Sequence, residues 1–433
     1  MGTAFLYGNG GSGGTGATLT VTAPAGCTVT VSKDGKSKTK VAGTDGVAVF
    51  KGLETGTWTV TITDGTDTST DTVDLLAEYT KEMSFAKIYG ISRDVTASSP
   101  VWARTDDAVG KSATASVGTV SGRSDFDNCY PWSGIHRETL STGDVMVKIP
   151  KFWFRRYRDG NVEHIKIADK ATTGFTLHPA FNHAGVEKDC LYVGAYKTSS
   201  NNKSVSGASP QANQTRATMR SNAKNKGTGW SLIDISAMSS IQMLILVEFA
   251  DNNMQSKIGR GYCDGNSAAI KTGTCDSVLN LTGRPAGTDG KVDVVWRGIE
   301  GFWGNVWEWV DGLNVNNGTY YVCNDISKYA DDTATNYEKL SYTAATNWSN
   351  SYITEEGLDT GNNPHVMLPS AAGSGSETTY QCDGCISSTG WVTFKRGAAW
   401  PSGSVAGLFA IDLGYSSTST GAGAGSRLLY IPS

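Results

Sequence analysis

The chain has 433 residues, 39% hydrophobic and 18% charged, with 52 glycines and a formal net charge of −4. This is the composition of a polar, loop-rich folded protein of two or three domains at about 150 residues each, not of a disordered tail. It lacks the basic footprint of a nucleic-acid binder and has no apolar run long enough to span a bilayer, so neither a nucleic-acid partner nor membrane insertion is expected.

Residues 1–15 have linker composition (GNGGSGG) and read as a flexible leader. They lack the charged n-region and full h-region of a secretory signal. From 16 to 87 the chain alternates with period two. LTVTA, CTVTVS, VAVFKG and WTVTIT read as strands between KDGK, GTDG, LETG and TDGTD turns. Such spacing predicts an all-β sandwich of immunoglobulin-like type, with Phe50, Leu53, Trp58, Val60 and Ile62 in its core, acting as a spacer or attachment module.

Residues 88–143 read as a transitional β segment. Asp125 and Asp127 flank Phe126 in SDFDNCYPW, but the Gly and distal Glu of a calcium loop are missing, so turn formation is the expected role. Eight cysteines are too few for a disulfide scaffold at this length. Cys382-Asp-Gly-Cys385 is a single CxxC, and the five histidines (His136, His164, His178, His183, His365) offer no HxxxH spacing to complete a zinc site. No metal and no cofactor are expected.

From 144 to 433 the texture is α+β. VMVKIPKFWFRRYRDG and HIKIAD read as strands across a DG turn. Asn213 to Asn225 reads as a short helix closed by Gly227. Asp234 reads as the N-cap of a second helix, with Met238, Ile241, Leu244, Ile245 and Phe249 at helical spacing. Next comes WRGIEGFWGNVWEWVD, whose rings demand burial and whose Gly301 and Gly304 permit positive φ. Strand alternation turns Glu308 away from Trp307 and Trp309, which favours a structural carboxylate over a catalytic one.

The closing stretch, Arg396 to Ser433, sets framework types (Arg396, Gly397, Trp400, Leu408, Phe409, Arg427, Leu428) around small or odd residues, and from Gly397 to Ser426 there is no Lys, Glu, Gln or Met. GFWGNVWEWVDG, together with RGAAW and GSRLLYI, resembles the C-type-lectin-fold superfamily of formylglycine-generating-enzyme type over about residues 144–433. The resemblance implies a multidomain protein in which an all-β immunoglobulin-like sandwich precedes an α+β C-type lectin fold domain. It also assigns a core motif of Gly301, Trp303, Gly304, Asn305, Trp307, Trp309 and Trp400.

Two branches of that superfamily divide on chemistry. The oxidases bind copper through paired cysteines in the C-terminal block, and residues 391–433 contain no cysteine. The other branch, the variable proteins of diversity-generating retroelements, includes phage receptor-binding proteins whose C-terminal region is rewritten at adenines of Asn codons. Free replacement turns AAY into NNY, which cannot encode Lys, Glu, Gln, Met or Trp.

The stretch aligns without a gap with that of the phage members. Asn sites fall at Pro401, Ser402, Val405, Asp412, Gly414, Tyr415, Ser419, Gly421 and Gly423. Tyr sites fall at Ala399 and Ala410, where alanine requires an Asn codon in this protein's own template. These eleven positions are the expected ligand-binding residues, with Tyr415 as the main anchor.

The resemblance thus implies a non-enzymatic phage or prophage tail-tip protein, made in the bacterial cytoplasm and carried on the virion. It would form homotrimers for avidity. Its partners would be other tail proteins and a bacterial surface receptor, either protein or glycan. Two alternatives from other classes stand beside it. One is an oxidase or hydrolase using Glu308 with His178 or His183; the other is an adhesin of the bacterium itself.

Overall fold

A computed structural model describes residues 16–265 and 267–432. The expected leader, residues 1–15, lies outside the described residues. The described chain is mostly β and divides into two compact units, residues 16–87 with 170–175, and residues 88–169 with 176–432.

The first unit holds β1 (Ala17–Thr22), β2 (Thr28–Lys33), β3 (Lys36–Val41), β4 (Val47–Leu53), β5 (Gly56–Thr63), β6 (Thr68–Leu75) and β7 (Glu78–Glu82). They form two sheets, β4-β1-β7 and β3-β2-β5-β6. One apolar cluster, including Phe50, Leu53, Trp58, Val60 and Ile62, fills this unit's interior as the alternation predicts.

The unit is a sandwich, but not of immunoglobulin order. There the second and third strands lie in different sheets. Here Asp34 (φ 50°) and Gly35 (φ 77°) make a two-residue left-handed turn. It pairs Lys33 with Lys36, so β2 and β3 are hairpin neighbours within one sheet. β1 is then free to pair antiparallel with β4 and parallel with β7.

In the second unit, β8 (Ile88–Asp94) pairs with Val162–Ala168 over seven residues, so residues 88–94 are built into the sheet that also holds Trp153–Asp159. Asp159-Gly160 makes the expected turn between Trp153–Asp159 and Val162–Ala168. Asp125 accepts hydrogen bonds from the Ser112 amide and hydroxyl and so fixes the backbone there, while Asp127 pairs with the Arg297 guanidinium. All eight cysteines are buried free thiols, and Cys382 sits in a left-handed turn.

Helix α1 (Arg216–Lys224) starts later than the sequence suggests. Asn213 adopts φ 58°, which no helix tolerates, and the Thr215 hydroxyl caps the helix by accepting from the Thr218 amide. Helix α2 (Ile235–Phe249) begins at the expected Asp234 cap, whose carboxylate accepts from the Ala237 amide at 2.8 Å. Every residue of α2 is buried. A largely apolar helix belongs inside the core, and among its polar side chains Gln242 donates to the Leu408 carbonyl at 3.1 Å.

The aromatic motif and the closing stretch share one sheet. Trp391–Arg396 pairs with Leu313–Asn316, Ile411–Tyr415 and Trp307–Trp309, and the last pairs with Ala424–Gly425. The two sequence motifs are thus hydrogen-bonded to each other.

Candidate functional site

The aromatic motif is a pair of opposed faces. Gly301, Gly304 and Asn305 all adopt left-handed φ, and a Cβ on Gly304 would meet the Tyr262 amide nitrogen at 2.7 Å. These turns bury Phe302 and Trp303, with the Trp303 indole donating to the Gly259 carbonyl at 3.0 Å. Asn305 accepts from the Ile270 amide and donates to the Ile270 carbonyl.

Past Val306 the chain becomes a strand and its side chains alternate. Glu308 points inward and is fully buried. Its carboxylate accepts from Lys197 at 3.0 Å, from Arg427 Nε at 2.8 Å and from Arg396 at 2.9 Å. Burial alone would raise this carboxyl; Arg427, Lys197 and Arg396 outweigh it and hold it at about 2. Arg396 and Arg427 come from the two ends of the closing stretch, so one carboxylate ties both ends down.

The opposite face of the strand opens on a pocket of about 240 Å³. Trp307, Trp309, Trp400 and Tyr415 supply its rings, and Lys395 and Asp412 its charges. Trp307 and Trp400, expected in the core, are only half-buried and line this wall. The Lys395 ammonium lies 3.6 Å from the Tyr415 ring centroid, 5.3 Å from that of Trp309 and 5.6 Å from that of Trp307. It pairs with Asp412 at 3.0 Å. Burial pushes the lysine below its usual range, and the Asp412 carboxylate opposes that shift. Lys395 is 4% exposed and Asp412 3%, whereas Tyr415 is 46% exposed.

Of the eleven predicted positions, Ala399, Pro401, Asp412, Tyr415, Ser419, Gly421 and Gly423 line this pocket. The other four do not. Ser402 accepts a hydrogen bond from the Ala399 amide, and Gly414 donates its amide to Asp412. Val405 packs over Gly384, where a Cβ would come within 2.6 Å of it. Ala410 has no exposed surface and sits among Cys263, Ala398 and Ala406. That position is core: it precedes the strand Ile411–Tyr415 and is enclosed by these side chains.

Sequence reading missed Lys395, which precedes the closing stretch by one residue. It also missed the polar groups that brace the loop from Gly403 to Phe409. Gln255 donates to the Ser404 carbonyl at 2.9 Å, and Asp383 accepts from the Phe409 amide at 2.7 Å. The signal was present in the run WVTFKR: an alternating strand places Lys395 on the face opposite Arg396.

The acid–base alternative finds no assembled site. His178 is buried among Phe152, Phe154, Phe181 and His365, and His183 bonds the Ala180 carbonyl. Neither bonds Glu308. No group of three metal-ligating side chains occurs among the described residues, and no described helix is long and apolar enough to cross a membrane.

No family model and no curated protein matches the chain. Among solved structures it is similar to the Major Tropism Determinant U1 variant, at 12% identity over 88% of this chain and 82% of that one, with a TM-score of 0.26. The P3c variant of the same determinant is similar at 13% identity, equal coverage and a TM-score of 0.25. Likeness at this level sets neither fold nor function.

Proposed function

We propose that this chain is a receptor-binding protein of a phage or prophage tail tip. In this reading the second unit has the C-type lectin fold that its motifs resemble. The stretch from Arg396 onward presents a diversified face to a bacterial surface receptor. The first unit attaches the chain to other tail proteins, and the assembly is a homotrimer on the virion that binds without catalysis.

One observation carries the reading. Residues assigned to the framework (Arg396, Leu408, Phe409, Arg427, Leu428) are buried, while seven positions assigned to diversification surround a single pocket on the outer face. A scaffold that fixes its core and varies its rim is what an adaptable binding surface requires.

The test is to sequence the DNA downstream of the gene. A near-copy of the Arg396–Ser433 coding stretch, beside a reverse transcriptase and differing at adenines under the pocket positions, is the expected result. Differences spread over all bases and over framework codons would defeat the diversification claim.

A further inference from the structure

The pocket above Lys395 has a chemistry that selects among ligands. A ligand cation meets an ammonium already seated over three aromatic rings, so the ring faces have little attraction left to offer. A ligand anion meets Asp412, 3.0 Å from that ammonium. A purely apolar group would offer the pair no hydrogen bond. What fits is a neutral group that both donates and accepts. Lys395 offers only donors and Asp412 only acceptors, side by side; hydroxyls on adjacent carbons can answer both. Flat C–H surface then packs against the rings.

We propose that this pocket takes an uncharged, hydroxyl-bearing ring, one sugar unit of a neutral surface glycan, and that the Lys395–Asp412 pair rejects charged groups. A peptide group also donates and accepts, but it brings too little apolar surface for a pocket walled by Trp307, Trp309, Trp400 and Tyr415. The proposal rests on the reading that this pocket is the receptor-binding face.

The test uses the full chain, three of whose twelve tryptophans line the pocket, so that a change in fluorescence on titration registers its occupancy. A panel of neutral methyl hexosides and N-acetylhexosaminides is titrated beside glucuronate and glucosamine. At least one neutral sugar perturbs the fluorescence, and the charged sugars bind about tenfold or more weakly, because each leaves a desolvated charge unpaired. Asp412→Asn shifts preference toward glucuronate. Tyr415→Ala, at an exposed position that leaves folding intact, weakens the neutral sugar.

Charged sugars binding as well as neutral ones, or no neutral sugar binding at all, overturns the proposal. Binding to host cells separates the two levels of failure. If Gly421→Trp abolishes cell binding while no neutral sugar competes, the glycan assignment falls and the binding face stands. If Gly421→Trp leaves cell binding unchanged, the face itself is wrong and the proposal falls with it.

Discussion

Trp307 and Glu308 are neighbours in sequence and face opposite sides of one strand. The indole lines an open pocket, and the carboxylate closes a buried cluster with Lys197, Arg396 and Arg427. The strand therefore holds the site's outer wall and its internal anchor at adjacent residues. A change on the anchor side reports on stability, and on the proposed function a change on the pocket side reports on binding.

The anchor side gives the first prediction. Glu308→Gln leaves three buried cations without their shared counter-charge, which costs about 3–5 kcal/mol. Urea denaturation of the second unit's transition reads the loss. The carboxyl sits at about 2 when folded, below its ordinary 4.5. A depressed carboxylate stabilises fully above its unfolded value and loses that contribution as pH falls through the folded one. The wild type thus loses roughly 3 kcal/mol between pH 4.5 and 2 at this residue, and the Gln variant does not.

Glu356 predicts the opposite slope. Both its carboxylate oxygens are buried without a hydrogen-bond partner. Burial, with Glu163 and Asp383 nearby and Arg156 opposing, raises it to about 8. A raised carboxyl holds its proton longer in the folded state, so stability falls as pH rises from 4.5 to 8. Glu356→Gln removes that loss and raises the melting temperature at pH 8 but not at pH 5. An equal shift at both values would contradict the assignment.

The eleven predicted positions should split by geometry. A Cβ at Gly421 meets nothing within 4 Å and its φ lies outside the left-handed region, so Gly421→Tyr changes stability by no more than about 0.5 kcal/mol. Ala410→Tyr forces a large ring among Cys263, Ala398 and Ala406 and costs about 3 kcal/mol or more. Thermal melts of the two variants decide whether position 410 belongs to the core or to the variable surface.

Much of this arrangement was legible in the chain. Alternation in WTVTIT marked a real strand, and Asp234 marked the start of α2 because a cap and an apolar run coincide there. β3 (KSKTKV) is exposed at every residue, so no apolar period existed to reveal it. The strand order escaped for the same reason: the β2–β3 hairpin that fixes it depends on that polar strand. The site was half legible. The resemblance narrowed the closing stretch to eleven positions, but residue type cannot tell a buried small residue, such as Ala410, from one lining the pocket, such as Gly421. Lys395 reads as a surface charge until the strand pairing seats it beneath Tyr415.

The most direct measurement is binding of the full chain to its host's cells, wild type against Gly421→Trp, with folding of both confirmed by their melts. Gly421 lines the pocket, and a Cβ there meets no neighbouring atom, so the backbone accepts an indole at the pocket's edge. The account predicts loss of binding at an unchanged melting temperature. Undiminished binding by a folded Gly421→Trp chain would place the receptor contact elsewhere and contradict the central claim.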